Sequence, residues 1–219
     1  MKKKLLAALV LSLAMAAPQV NAAPTDLENA WNNPTDPNHK LYFLPNNDTV
    51  TIQEGLNPRN DDMFQINDFE HEPLEHYGRI NCKGHSGFSM SGVTGIGIYN
   101  AKDIYGFNTT GNGGAFNMAD DSFLEMDTWN HNGTTPLMTT IRNNTATGKG
   151  GGIYQEGHYG TGVYLMNVSV KDNHAGAEGG GMYVNYSVSR IDALEGSTIE
   201  FTGNTAVIGG EEVANDIYL

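Results

Sequence analysis

Acidic side chains are concentrated in residues 118–136, together with an aromatic ring and an imidazole. The residues concerned are Asp120, Asp121, Glu125, Asp127, Trp129 and His131. Clustered carboxylates can act as general acid and base on a glycosidic bond, and a polar loop of this kind can instead form a contact surface. We take this stretch as a candidate binding loop with Asp120, Asp121, Asp127, Trp129 and His131 as contact residues. An ordinary solvated loop is the alternative.

A cleavage reaction has one specific sequence pattern in its favour. Asp120-Asp121, Gly157-His158-Tyr159-Gly160 and Arg190-Ile191-Asp192 resemble, in that order, the DD, GHG and RIK motifs of polygalacturonases. The resemblance implies cleavage of pectin-like polysaccharides. However, Tyr159 interrupts the GHG motif, Asp192 stands where the substrate-binding Lys belongs, and no NTD motif precedes them. A glycosidase or lyase is therefore the alternative function, and we expect no catalytic residue.

Other reactive combinations fail on spacing or surroundings. A Cys82–His85 pair lacks the electropositive environment that a thiolate nucleophile requires. His71 and His76 are five residues apart with Pro73 between them, whereas a zinc-protease helix needs a spacing of four. Phosphate-binding glycine loops and the calcium nonapeptide GGxGxD are absent. The sequence predicts neither a cofactor nor a metal.

A 14-residue unit occurs three times in the second half of the chain. It reads IRNNTATGKGGGIY at residues 141–154, VKDNHAGAEGGGMY at 170–183 and FTGNTAVIGGEEVA at 201–214. Aligned without gaps, the copies share Asn144, Asn173 and Asn204, with an apolar residue three positions earlier and an Ala two positions later. The spacing is 29 and then 31 residues, which is typical of a repeat architecture.

Each unit has the pattern of short strands. Apolar and polar residues alternate before each Asn, as in a strand with one buried face. The glycine triplets at 150–152 and 179–181 exclude helix, because each Gly costs about 1 kcal/mol in a helix interior. A unit this small cannot bury its apolar face alone, so copies must stack. The sequence predicts an all-β fold, a parallel β-solenoid.

Stacking would place equivalent residues in columns about 4.8 Å apart. A buried amide costs roughly 1–3 kcal/mol when unpaired, and a column of Asn144, Asn173 and Asn204 can pair with itself at the turn. We interpret these residues as a structural ladder, with ligand binding as the lesser alternative. The accompanying glycines, read as tight bends, are Gly151, Gly152, Gly180 and Gly181.

The same residues carry a family resemblance. GGAF at 113–116, GGGIY at 150–154 and GGGMY at 179–183 resemble the GGA[ILV] motif of polymorphic outer-membrane proteins and related autotransporter passengers. IRNN, VKDN and FTGN resemble the partner motif FxxN. The resemblance covers about residues 95–219 and implies a right-handed parallel β-helix displayed at a bacterial surface. Members of this family usually end in a membrane β-barrel, and we predict no such segment within residues 1–219.

The N-terminal 22 residues have the pattern of a secretory signal. Three lysines precede an apolar run from Leu5 to Ala16, and Val20-Asn21-Ala22 fits the cleavage rule. Cleavage there leaves 197 residues with 9 Lys and Arg against 25 Asp and Glu, a net charge of −16. Such acidity disfavours nucleic acid and anionic membranes as partners. No membrane-spanning segment is predicted after cleavage.

The two ends of the repeat region depart from the pattern. Residues 23–78 contain prolines and Asn- and Asp-rich turns, and we interpret them as an irregular cap on a β-helix of residues 79–219. In the last copy, Glu211 and Glu212 align with glycines and Ala214 with the tyrosine of earlier copies. They are either a charged guard on an edge or a sign that further coils follow. Residues 215–219 read as a continuing strand, which favours a truncated passenger.

These patterns together predict an exported, non-catalytic β-helix of the autotransporter passenger type. We expect it outside the cell, at the bacterial surface or in the periplasm. An adhesin-like role would make its partner a host or bacterial surface protein or a glycan.

Overall fold

The computed structural model describes residues 26–33, 41–44, 48–60, 63–67, 78–92, 94–128, 138–157, 162–185 and 188–219. The predicted signal peptide lies outside the described residues, as do Trp129, His131 and His158.

The described chain contains one short helix, α1 (Asp26–Asn32), and then winds through six coils of short strands. Coil 1 holds β1 (Leu41–Phe43) and β2 (Thr49–Thr51); coil 2 holds β3 (Phe64–Asn67), β4 (Arg79–Asn81) and β5 (Phe88–Met90); coil 3 holds β6 (Gly95–Tyr99), β7 (Asp103–Tyr105), β8 (Asn108–Thr109) and β9 (Phe116–Ala119). Coil 4 holds β10 (Phe123–Asp127), β11 (Thr139–Arg142), β12 (Thr145–Ala146) and β13 (Ile153–Glu156); coil 5 holds β14 (Gly162–Met166), β15 (Val168–Lys171), β16 (His174–Ala175) and β17 (Met182–Asn185); coil 6 holds β18 (Val188–Asp192), β19 (Phe201–Thr202), β20 (Thr205–Ile208), β21 (Glu211–Ala214) and β22 (Ile217–Tyr218).

Strands of successive coils pair in parallel and form four sheets along the axis. Sheet A has the order β1-β3-β6-β10-β14-β18, and sheet B the order β2-β4-β7-β11-β15-β19. Sheet C runs β5-β9-β13-β17-β22, and sheet D runs β8-β12-β16-β20-β21. The prediction of a parallel β-helix is confirmed.

The core is a set of apolar columns inside the coils. In sheet A, Ile96 pairs with Leu124 and Leu124 with Val163, and all three side chains are buried. In sheet B, Ile141 pairs with Val170 and Val170 with Phe201. Each coil covers the apolar residues of its neighbour, so the burial that one repeat cannot achieve alone is achieved by stacking.

Sheets A and B begin earlier than the first recognisable repeat. β1, β2 and β3 pair in register with the strands that follow, although they precede residue 79. Helix α1 inserts Trp31 against the rings of Phe64 and Phe88, with centroids 5.4 and 4.9 Å away. The region interpreted as a cap therefore contains coil strands as well as a helix that fills the interior.

The same helix is fixed to coil 1 by one buried carboxylate. Glu28 accepts hydrogen bonds from the backbone N–H groups of Gln53, Glu54 and Gly55 at 2.8, 2.6 and 2.9 Å. These bonds satisfy a charge that would be costly to bury alone.

The stretch of residues 118–136, interpreted as a loop, contains a strand. Residues 123–127 form β10. β10 lies in the middle of sheet A, and the interpretation of this stretch as a loop is wrong for residues 123–127. Buried Leu124 and Met126 alternate with the more exposed Phe123, Glu125 and Asp127, which is the period of a strand. This strand contains none of the Asn and Gly residues that define the repeat, so the repeat alignment does not reveal it.

The gap-free alignment of the last repeat is also wrong beyond Ala206. Gly209 and Gly210 both have positive φ and turn the chain into an antiparallel hairpin of β20 and β21, as two-residue Gly-Gly hairpin turns do. Ile217 and Tyr218, rather than Val213 and Ala214, continue the columns of Met182 and Tyr183. Glu211 and Glu212 thus lie on an added edge strand of sheet D and do not replace glycines.

Candidate binding surface

The recurring asparagines lie in consecutive coils and are hydrogen-bonded to one another inside the helix. Asn144 Nδ2 donates to Asn173 Oδ1, and Asn173 Nδ2 donates to Asn204 Oδ1, both at 2.9 Å. All three side chains are buried. At the end of the column, Asn204 Nδ2 donates to Asp216 Oδ1 at 2.8 Å.

The backbone uses the remaining capacity of these amides. Asn173 Nδ2 also donates to Ile141 O at 3.1 Å, and Asn173 Oδ1 also accepts the backbone N–H of Asn144 at 3.0 Å. Asn144 and Asn204 make equivalent bonds to the carbonyls of Ile104 and Val170. Their amide groups are engaged in joining coils, which argues for a structural role and leaves little capacity for a ligand.

The residue before each of these asparagines reverses the chain. Asn143, Asp172 and Gly203 have φ of 53°, 53° and 70°. Only Gly, Asn and Asp adopt this left-handed conformation readily. The turn therefore points the following Asn side chain into the interior at the equivalent position of coils 4, 5 and 6.

The glycines at 151–152 and 180–181 are required by close stacking of backbones rather than by positive φ. A Cβ on Gly152 would lie 2.6 Å from Gly181 O, and one on Gly181 would lie 2.5 Å from Asp216 O. Gly151 and Gly180 similarly lie against the backbone of the next coil. The positive φ of this bend belongs to the preceding glycines, Gly150 and Gly179.

Three of the predicted contact residues lie at the two ends of β10. Asp120 and Asp121 are exposed in the turn before it, and Asp120 has a φ of 46°. Asp127 is the last residue of β10 and is half-buried on the outer side of sheet A. Asp120 and Asp121 are thus separated from Asp127 by the length of the strand.

The outer face of sheet A around Asp127 combines tyrosines with charged groups. We define it by Tyr99, Glu125, Asp127, Tyr164, Arg190 and Asp192, which belong to adjacent strands β6, β10, β14 and β18. The guanidinium of Arg190 lies over the Tyr164 ring, 5.3 Å from its centroid, and its Nε is 2.5 Å from Asp192 Oδ2. Of these six residues only Asp127 is among the predicted contact residues, because the others become its neighbours through the register of the coils.

Burial changes the protonation of this outer face. It raises the pKa of Tyr99 to about 12, and the carboxylate of Glu125, which is hydrogen-bonded to the tyrosine, adds to that effect. Burial also raises the pKa of Asp127, opposed by a bond from the Thr128 backbone and assisted by the negative charge of Glu125. The face is a partly desolvated acidic patch bordered by aromatic rings.

Among the residues that resemble polygalacturonase motifs, Asp121 and Asp192 lie apart, and His158 is outside the described residues. Asp192 lies at the end of β18, in register with Met166 and, one strand further, with Asp127. Asp121 lies before the opposite end of β10, and the strand alone spans about 13 Å at 3.3 Å per residue. Arg190 and Asp192 instead pair with each other.

Cys82 is buried and lies 3.5 Å from His85 O. Burial raises its pKa to about 12, partly offset by backbone bonds from Gly84 and His85. A thiol with this pKa is protonated at neutral pH and is a poor nucleophile. Within the described ranges, no group of three or more His, Cys, Asp or Glu residues is arranged to hold a metal ion.

A column of tyrosines along sheet C is absent from the predicted contact residues. Tyr154, Tyr183 and Tyr218 stack with ring centroids 5.4 and 5.2 Å apart. Lys149 Nζ lies 4.3 Å from the Tyr183 centroid and 3.2 Å from Glu178 Oε2. The sequence would have revealed the column if Tyr218, rather than Ala214, had been aligned with Tyr183.

One stretch of the chain matches a known protein family. Residues 139–156, which span β11 to β13 with their Asn and glycine turns, match the Chlamydia polymorphic membrane protein repeat. No curated protein and no solved structure matches the chain. Among the described residues, no helix has the length and apolar character needed to cross a membrane. From β11 to β13, the chain is therefore similar to a repeat of the Chlamydia polymorphic membrane protein family.

Proposed function

We propose that this protein is an exported, non-catalytic β-helix of a bacterial surface, and that the outer face of sheet A binds a host or bacterial surface partner. The match of residues 139–156 to a polymorphic membrane protein repeat carries this proposal. The motif residues of that repeat are used inside the fold, where Asn144 and Gly152 join neighbouring coils. Partner binding is then a task for side chains outside the repeat motif.

The outer face of sheet A has the composition of a protein-contact surface. Tyr and Arg are enriched at interfaces and at their energetic hot spots, and here Tyr164 and Arg190 lie together at the side of the rod. Half-buried Asp127 and Glu125 add fixed negative charge next to them. Asp120 and Asp121, exposed in the turn before β10, are further candidate contact residues. Trp129 and His131 follow β10 in the sequence and stay predictions.

Binding can be tested with purified protein that starts at Ala23, labelled and applied to intact bacteria and host epithelial cells. Tyr164→Ala should weaken saturable binding by roughly tenfold, as expected for loss of a central aromatic contact. Tyr105→Ala is the matched control, because Arg142 lies over the Tyr105 ring on sheet B at 4.6 Å. Absence of saturable wild-type binding to either cell type, or an equal loss in both variants, would contradict the proposal.

Export is tested separately in the native bacterium. Mass spectrometry of the mature chain should give Ala23 as its first residue, and antibodies should label intact cells. A protein that retains Met1 and is labelled only after lysis would overturn the surface assignment.

A further inference from the structure

We propose that a groove at the corner of sheets C and D binds an uncharged glycan. The groove arises because sheet D begins one coil later than its neighbour sheet C, whose first strand is β5 of coil 2. The first strand of sheet D within the described residues is β8 of coil 3, and at this corner coil 2 offers only the backbone around His85, whose carbonyl accepts from Asn108 N at 2.9 Å. The step between coils leaves a cavity of about 260 Å³. This proposal rests on the proposed surface function and assigns a ligand class to a site away from sheet A.

The lining of this corner groove is polar but carries no charge. Its side chains provide hydroxyl and amide groups, from Ser86, Ser89, Thr109, Thr110, Asn112 and Asn117, and none of the eleven lining residues has an ionisable side chain. The chain as a whole has a net charge of −13. A groove that is neutral within an acidic molecule is suited to neither an anionic nor a strongly cationic ligand.

The polar groups are held in fixed orientations by the coils. Thr109 Oγ1 accepts from Gly87 N at 2.9 Å and donates to Gly114 O at 2.8 Å. Asn112 Oδ1 accepts the backbone N–H of Lys149 at 2.9 Å, which directs the Asn112 NH₂ group away from that backbone as a donor pair. Preorganised donors and acceptors lower the cost of ordering side chains on binding.

An apolar element completes the groove. Leu56 and Pro58 of coil 1 also line the groove. A sugar ring presents hydroxyl groups at its edge and C–H groups on its face, so it matches hydroxyl and amide partners on one side and an apolar contact on the other. The volume is slightly below the range of roughly 300–1,000 Å³ of drug-sized pockets. It fits one or two sugar units and not a folded partner.

Binding can be measured by saturation-transfer NMR and calorimetry on the chain from Ala23. The neutral probes are N,N′-diacetylchitobiose, cellobiose and lactose, and the charged probes are sialyllactose and a heparin disaccharide. At least one neutral disaccharide should bind with a Kd that rises roughly tenfold or more in Asn112→Asp and in Asn117→Asp. Asp keeps the acceptor oxygen that Lys149 N uses, so Asn112→Asp removes the donors without removing that bond.

The control variant is Asn185→Asp, which makes the same change of charge on β17, two coils from the groove. It should bind the neutral probe as the wild type does. Failure of all three neutral probes to bind, tighter binding of a charged probe, or undiminished binding by Asn112→Asp would overturn the proposal.

The glycan site and the surface function fail in different ways. A double variant, Asn112→Asp with Asn117→Asp, should no longer bind the disaccharide. It should also lose the part of the binding to cells that free disaccharide inhibits in the wild type. If the wild type binds cells but no neutral disaccharide, the glycan site is wrong and the surface function stands. If it binds the disaccharide but no cell, the glycan site stands and the surface function is wrong.

Discussion

At the scale of single residues, the chain uses polar groups inside the rod to specify how coils stack. Asn173 bonds to Asn144 on one side and to Asn204 on the other, while Ile141 O and backbone N–H groups take up its remaining capacity. An apolar residue could fill the same space, but it would leave the turn carbonyls without donors. The ladder thus adds directional hydrogen bonds at the turns to the register that the buried apolar faces of the strands already specify.

Replacing the middle of this ladder should be strongly destabilising. Asn173→Leu removes the acceptor that Asn144 N and Nδ2 share and the donor to Ile141 O and Asn204 Oδ1. We expect a loss of about 3–5 kcal/mol in the free energy of unfolding in urea. Asn185→Leu on the outer side of sheet C should change it by less than about 0.5 kcal/mol. A loss below 1 kcal/mol in Asn173→Leu would show that the ladder does not hold the coils.

Cys82 gives the stability a pH dependence in alkaline solution. Its pKa is about 12 in the folded protein because of burial, against an ordinary value of 9.0. Below pH 9 the thiol is protonated in both states and contributes a constant amount. Between pH 9 and 12 the unfolded state releases its proton first, so the free energy of unfolding falls as pH rises.

The prediction is tested by urea unfolding of the wild type and Cys82→Ala between pH 7 and 11. The stability advantage of the wild type should be constant to pH 9 and then shrink by up to about 1.4 kcal/mol per pH unit. Tyr99, whose pKa is also raised, acts in both proteins and cancels in the difference. A difference that is flat to pH 11 would mean that Cys82 is not desolvated in the folded protein.

At the scale of elements, the sequence predicts the repeat in the coils that contain the recurring Asn and glycine residues. It does not predict the repeat in the coils that lack them. The Asn and glycine positions of coils 4 and 5 revealed strand, turn and bend because they recur at constant spacing. Coils 1 and 2 lack these landmarks and stack through apolar residues such as Val50 and Ile80, a pattern common to any short strand. The N-terminal coil strands therefore could not be located as repeats.

Other elements escaped the sequence because their partners are distant. The hairpin of β20 and β21 inserts four residues, and a gap-free alignment shifts every position after it. Its Gly209-Gly210 turn was a readable hairpin signal. In contrast, the corner groove depends on which coil first contributes a strand to sheet D, and no local pattern encodes that.

Backbone stacking at the glycine bend predicts a steric test. Gly152→Ala places a Cβ against Gly181 O, and neither backbone can move without disturbing the next coil. We expect a loss at the upper end of the 1–3 kcal/mol that overpacking costs, about 3 kcal/mol in urea unfolding. Gly209→Asn, at a left-handed turn with no atom within 4 Å of an added Cβ, should lose less than about 1 kcal/mol. Equal losses in the two variants would contradict the stacking argument.

At the scale of the whole molecule, the two ends of the described rod differ. At the N-terminal side, α1 fills the interior with Leu27 and Trp31, and Glu28 fixes it to coil 1. In coil 6, Ile191, Leu194 and Ile217 are each roughly 40% exposed, and β18, β19 and β22 are the outermost strands of their sheets. In a solenoid each coil is stabilised by its neighbours, so unequal ends imply unequal local stability.

Amide hydrogen exchange should therefore follow a gradient along the axis. Amides of β10 and β14, which have strands on both sides, should exchange roughly 100-fold more slowly than those of β19 and β22. Ile217→Ser removes an apolar contact from coil 6 and should accelerate exchange there while leaving coils 2 to 4 unchanged. Glu28→Ala, which removes three hydrogen bonds between α1 and coil 1, should accelerate exchange in coil 1 and leave coil 6 unchanged. Uniform protection, or a global response to either substitution, would mean that the rod unfolds as one cooperative unit and that its ends do not open independently.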